Sequence, residues 1–232
     1  MINEVILPKV LILETIIPKD LINELNDYMD HVLQDTGKLQ MYLDKTNPAV
    51  KKYLEIKYNL AENYIKKFSE MADINYIERQ FETQDIWAIY QFAGGYNPLH
   101  AHTIPQGGSG LASICWTKVP KQILKDNVED KILYEKLGVV KDFKLEGITD
   151  GQLQFVTDQS TTTEEMDRFK FPGSTLVKPT LGKLLIFPLH LNHIVYPFKG
   201  EGERRTIASN ISCTKKTKEY SHSLIRGDDK IL

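Results

Sequence analysis

The chain has 232 residues, of which 41% are hydrophobic and 26% charged, with a net charge of -2 and a pI near 6.3. That length fits one sizeable core, or one core with a helical annex. The near-neutral charge argues against a basic nucleic-acid or anionic-membrane surface. Glu4, Pro8, Lys9 and Glu14 interrupt the apolar start, so it offers neither a signal-peptide core nor a span of about 20 apolar residues. Two cysteines, Cys115 and Cys213, make no disulfide framework and read as buried reduced thiols. A cytoplasmic protein without membrane or nucleic-acid partners is expected.

Residues 9–17 read as a strand, and the segment 18–20 opens a helix in which Leu21, Ile22, Leu25, Tyr28, Met29, Val32 and Leu33 recur at helical spacing. After a polar break, Asn47 and Pro48 start a second helix, with an apolar stripe of Val50, Tyr53, Leu54, Ala61, Tyr64, Ile65 and Phe68. The pattern changes near Asp85. Strands are predicted at 86–93, 111–119, 152–156, 176–178, 183–187, 193–198 and 206–212, with a short helix over 123–137. Residues 157–170 read as a polar mobile loop, and Lys215, Lys216 and Lys218 as part of a solvated tail. The predicted fold is mainly β with N-terminal helices: a jelly roll, or double-stranded β-helix, buttressed by helices. Residues 1–80 supply the buttress, 81–215 the β core and 216–232 the tail.

Four of six histidines fall in two short clusters inside the β half. His100 and His102 are two apart, so on a strand they share a face and offer two imidazoles to one ion. His190 and His193 are three apart and point to opposite faces, so one of them completes a three-point set. Imidazole suits iron, zinc, copper and nickel alike. His31 and His222 lie outside any cluster and read as structural or exposed. Downstream, Arg204, Thr206, Ala208 and Asn210 share one strand face, while Arg205 and Ile207 share the other. A guanidinium fork followed two residues later by a hydroxyl can grip a carboxylate. Alone, this arginine would read as a surface ion pair with Glu201 or Glu203.

From Trp87 to Asn210 the chain resembles the Fe(II)/2-oxoglutarate-dependent oxygenases. It is most similar to their prolyl-hydroxylase-like branch and to small phage and marine-bacterial members. The resemblance is carried by residues 96–102 (YNPLHAH), 118–120 (KVP), 185–188 (LIFP), 193–198 (HIVYPF) and 202–206 (GERRT), in that order and spacing, over a little more than half of the chain. It implies a dioxygenase that hydroxylates a C–H bond with release of succinate and CO₂. His100 would be the proximal iron ligand and His193 the distal one. Arg204 would hold the far carboxylate of 2-oxoglutarate, assisted by Thr206. Tyr90 and Trp116 would touch the co-substrate. The family usually places Asp or Glu where this chain has His102. Phage-like relatives share H-x-H, but three neutral imidazoles leave the metal one negative charge short.

The implied partners are Fe(II), 2-oxoglutarate, O₂ and a small-molecule or peptide substrate. The residues leave open a homodimer, a three-histidine cupin-type dioxygenase without 2-oxoglutarate, a three-histidine zinc hydrolase, and a jelly-roll binding or virion-associated module. Loops 103–110 and 157–170 are candidates for substrate contact or a lid.

Overall fold

The computed structural model describes residues 10–103, 109–124, 151–157 and 174–215. The elements in chain order are β1 (Leu13–Ile16), α1 (Lys19–Thr36), β2 (Gln40–Tyr42), α2 (Pro48–Met71), β3 (Arg79–Gln91), β4 (Asn97–His100), β5 (Gly110–Lys118), α3 (Lys121–Leu124), β6 (Leu153–Val156), β7 (Ser174–Val177), β8 (Lys183–Pro188), β9 (Asn192–Val195) and β10 (Arg204–Lys215). The expected tail, most of both candidate loops, and the predicted helix beyond Leu124 lie outside the described residues.

Local chemistry sets the helix ends. Gly37 takes φ 63°, which a side chain would resist, and its N–H reaches the Leu33 carbonyl at 2.7 Å to close α1. The Asn47 side chain accepts from the amides of Ala49 and Val50 at the start of α2, and Pro48 fits the first turn because no intrahelical partner awaits its missing N–H. Most of the predicted stripe residues are buried; Tyr28, Val32, Leu33 and Ile65 are half-buried, and Phe68 is 41% exposed near the end of α2.

The strands form two antiparallel sheets, ordered β1-β8-β5-β10-β3-β2 and β4-β9-β6-β7. This is the double-stranded β-helix, with α1 and α2 on the outer face of the larger sheet. Strand alternation divides the core between two layers. On β5, Leu111 and Cys115 face the helices, while Ala112, Ile114 and Trp116 face the second sheet. A strand covered on both sides is apolar without interruption, as Gly110–Lys118 nearly is.

Three elements differ from expectation. β4 is a strand that the predicted segments do not include. β2 lies in the predicted polar break. It is three residues long and too short for a period-two signal. β3 begins at Arg79 rather than 86, because its polar first half pairs with the long C-terminal end of β10, from Ile211 to Lys215. A ladder partner supplies the hydrogen bonds that composition alone does not advertise.

Two basic side chains tie the helices to the sheet. The fully buried Arg205 donates to Glu203 and to Asp30 of α1, both at 2.5 Å, and its guanidinium stacks 4.5 Å from the Tyr90 ring centroid. Lys57 of α2 is also fully buried, and its Nζ donates to Thr83 Oγ1 at 2.8 Å and Ser209 Oγ at 2.9 Å. Burial, reinforced by nearby Lys45, pushes the Lys57 amine well below its ordinary 10.5.

Between the folded pKa of Lys57 and 10.5, the unfolded chain holds the extra proton. Stability therefore rises with pH through that window, by at most about 1.4 kcal/mol per pH unit, and levels off above it. Urea midpoints of the wild type and Lys57→Met, compared from neutral pH upward, should show the wild type gaining on the variant. A pH-independent difference would show that this amine is not held neutral.

Candidate metal centre

The smaller sheet builds the site. β4 pairs with β9 so that His100 stands opposite His193. His102 follows just beyond the end of β4 and is tied by its backbone N–H to the Leu189 carbonyl at 3.0 Å. One candidate ligand atom from each ring lies within 4.8 Å of the others, and His102 Nε2 is 3.3 Å from His193 Nε2. Ring centroids are separated by 4.2 Å (His100–His193), 5.1 Å (His102–His193) and 5.2 Å (His100–His102). Among the described residues this is the single cluster of three such groups. His190 is exposed, and it stays apart because it lies in the turn before β9 and not on the strand.

Supporting hydrogen bonds orient the rings. His193 Nδ1 lies 2.9 Å from the Leu191 carbonyl, and His100 Nδ1 lies 2.6 Å from the Pro98 carbonyl. Since a carbonyl only accepts, each Nδ1 must donate, and each Nε2 lone pair is left free for a cation. Phe187 packs edge-on against His193 at 5.1 Å, with Phe155 behind it. Burial pushes both His102 and His193 down to about 4, and the neighbouring imidazoles push the same way. Neutral, convergent imidazole nitrogens suit a divalent transition metal.

The centre lines a cavity of about 320 Å³, together with Trp87, Gln91, Asn97 and Thr206. Arg204 is fully buried on the same β10 face as Thr206, one step behind the cavity wall. Its Nε and Nη2 both donate to Gln91 Oε1, at 3.0 and 2.8 Å, and Nη1 donates to the carbonyls of Gly151 and Tyr196, at 2.6 and 2.9 Å. Burial lowers its pKa to about 10, so it remains a cation at neutral pH. The alternative pairing with Glu201 or Glu203 is absent from the described contacts, and Glu203 pairs with Arg205 instead.

The two aromatic expectations part company. Tyr90 faces the helices, and its hydroxyl donates to the Met29 carbonyl at 2.8 Å. It is turned away from the cavity because alternation puts Trp87, Ile89 and Gln91 on the cavity side of β3. Trp116 lies on the inner face opposite Thr206, fully buried, and its indole Nε1 has no hydrogen-bond partner among the described residues. Gln91 and Trp87 were missed by the sequence reading, although they lie on the opposite phase of the strand that was recognised.

Residues 85–210 match the family model of 2OG-Fe(II) oxygenases. The chain belongs to this family. It is a 2-oxoglutarate- and Fe(II)-dependent oxygenase, and the three-histidine cluster suits the metal that the family uses. No curated protein matches it in sequence. Among solved structures it resembles a Pseudomonas putida prolyl-4-hydroxylase, at 12% identity and TM-score 0.52, over 89% of this chain and 93% of that one. It also resembles HygX from Streptomyces hygroscopicus, solved with nickel and 2-oxoglutarate, at 9% identity and TM-score 0.54, over 88% and 82% of the two chains. A third is SnoK, an alpha-ketoglutarate-dependent carbocyclase from nogalamycin biosynthesis, at 7% identity and TM-score 0.53, over 88% and 81%. At these identities the likeness speaks to the fold. None of the described helices is long and apolar enough to cross a membrane.

His193→Ala should lower Fe(II) affinity by more than the roughly 10–100-fold that loss of a supporting partner costs, while His190→Ala should leave it unchanged. Anaerobic metal titration of both variants checks this, and the reverse order would exclude His193 as the ligand.

Proposed function

We propose that this oxygenase is a hydroxylase, with His100, His102 and His193 holding Fe(II) and with Arg204 and Thr206 anchoring the far carboxylate of 2-oxoglutarate. The convergence of three imidazoles within 4.8 Å carries this reading. The bound metal would supply oxygen activation coupled to decarboxylation of 2-oxoglutarate. One atom of O₂ then goes to succinate and the other to a substrate C–H bond, with CO₂ released.

The chain's own residues position and shield. The Nδ1 hydrogen bonds of His100 and His193 fix those two rings before any ligand arrives, so metal binding needs little reorganisation. Phe155 and Phe187 exclude water behind His193. Arg204 is held by backbone carbonyls, and its fork already grips one oxygen, Gln91 Oε1, from two sides. A carboxylate is the stronger acceptor for that fork. The incoming co-substrate takes the place of Gln91, whose side chain borders the cavity. Thr206 lines the cavity on the same face and supplies a hydroxyl donor. Trp116 opposes it across the ladder and brings an unpaired indole N–H to that end of the interior. These positions favour a dicarboxylic acid over the hydrolase alternative, which needs no buried cation there; in the cupin-type alternative Arg204 would bind an acidic substrate directly.

Charge-assisted hydrogen bonds of about 1.5–3 kcal/mol correspond to roughly 10–150-fold in affinity. Arg204→Met should weaken 2-oxoglutarate binding by that factor and spare metal binding, as calorimetry with each ligand would show. Unchanged 2-oxoglutarate affinity would remove Arg204 from the site. With isotopically labelled O₂, the wild type should place one labelled oxygen in succinate; unlabelled succinate would contradict the proposed oxygenase cycle.

A further inference from the structure

The cavity face of β3 continues sideways onto β2, beyond any residue assigned above. Gln40 stands opposite Ile89, and Tyr42 opposite Trp87. The Tyr90 N–H bonds to the Leu39 carbonyl and the Leu43 N–H to the Ile86 carbonyl. The pairs 40–89 and 42–87 are therefore the non-hydrogen-bonded ones, in which facing side chains approach most closely, at about 4.5 Å between α-carbons. Trp87 is half-buried in the cavity wall, with its ring 6.0 Å from His102 at a 38° tilt. Tyr42, beside it, is 73% exposed. An aromatic surface thus runs from solvent to the metal centre along one strand pair.

The remaining lining carries no Asp, Glu, Lys or Arg among the described residues. Amides (Gln40, Gln91, Asn97), hydroxyls and apolar groups surround the imidazoles. A charge moved into such a space without a partner loses hydration that nothing restores. Arg204, a buried cation, stands behind Gln91 and suits the co-substrate's anion. At about 320 Å³ the cavity is at the small end of ligand sites, usually about 300–1,000 Å³, and it must also admit 2-oxoglutarate.

We infer that Trp87, with Tyr42 at the rim, forms the substrate wall, and that the group presented to the metal is an uncharged ring lying against the Trp87 indole. This rests on the oxygenase reading for the identity of the metal, but the wall belongs to the protein itself. Aromatic contact with a flat ring stabilises it beyond burial of area alone. Trp87 is in this sense a positioning residue, since it would hold the reacting carbon beside the metal.

Three size-matched probes test the inference: 4-methylbenzamide (neutral), 4-methylbenzylammonium (cationic) and 4-methylbenzoate (anionic). Binding is read by ligand-observed NMR, both on the metal-free protein and on the anaerobic Fe(II) complex with saturating 2-oxoglutarate. The neutral probe should bind at least ten times more tightly than the cation in both forms, and than the anion in the Fe(II) complex, where 2-oxoglutarate fills the Arg204 end. Trp87→Ala should weaken its binding at least ten-fold, Trp87→Phe should restore most of it, and Fe(II) and 2-oxoglutarate affinities should not move. A charged probe that binds as well in the Fe(II) complex, a cation that binds as well in the metal-free protein, a neutral probe that fails to bind at millimolar concentration, or an unaffected Trp87→Ala variant would overturn the inference. Failure of Fe(II) or 2-oxoglutarate to bind would instead strike the oxygenase assignment, and would leave the metal-free comparison standing as the test of the wall.

Discussion

Two strands of four residues, β4 and β9, put His100 directly across from His193. The catalytic reading depends on that register. A slip by one residue would turn His193 to the other face of the smaller sheet. The register is protected from several directions. β9 is also paired with β6, Leu153 and Val195 are buried in the layer between the sheets, and Leu191, just before β9, is held by the Pro188 carbonyl at 3.0 Å. His102 needs its own tether, because β4 ends at His100, and the Leu189 carbonyl provides it. The metal centre is therefore assembled from backbone hydrogen bonds more than from its side chains.

Adjacent arginines illustrate how alternation divides labour. Arg204 and Arg205 are both fully buried at the start of β10, yet they serve opposite layers. Arg205 turns to the helices, where Asp30 and Glu203 neutralise it and Tyr90 covers it. Arg204 turns to the inner space, where carbonyls and an amide satisfy its donors but no carboxylate among the described residues balances its charge. A buried cation with dipolar partners alone is electrostatically incomplete. In the function proposed above, an anionic co-substrate would complete it. At the metal, neutral imidazoles leave a divalent ion its full charge, so an anion is attracted from that end as well. Both ends of the cavity thus favour a dicarboxylate, while its sides favour a neutral partner.

Much of this was legible in the sequence. The H-x-H pair marks the cluster, the family resemblance rather than the strand period selects His193 over His190, and the division of Arg204 from Arg205 follows from the two-residue strand period. The same period explains the error at Tyr90. An aromatic residue in the right strand was placed in the site, although Trp87 and Gln91, on the other phase, are the ones that border the cavity. β2 was invisible because three residues carry no periodic signal, and its importance comes from long-range pairing with β3. The Gln91–Arg204 contact joins residues 113 positions apart and leaves no local trace in sequence.

The most direct test of the three-imidazole, one-guanidinium site is anaerobic addition of Fe(II) and 2-oxoglutarate to the purified protein, followed by visible absorption spectroscopy. A charge-transfer band that requires both additions, and that Arg204→Met shifts to higher 2-oxoglutarate concentration, is the predicted result. Bound Fe(II) whose spectrum does not respond to 2-oxoglutarate would contradict the account.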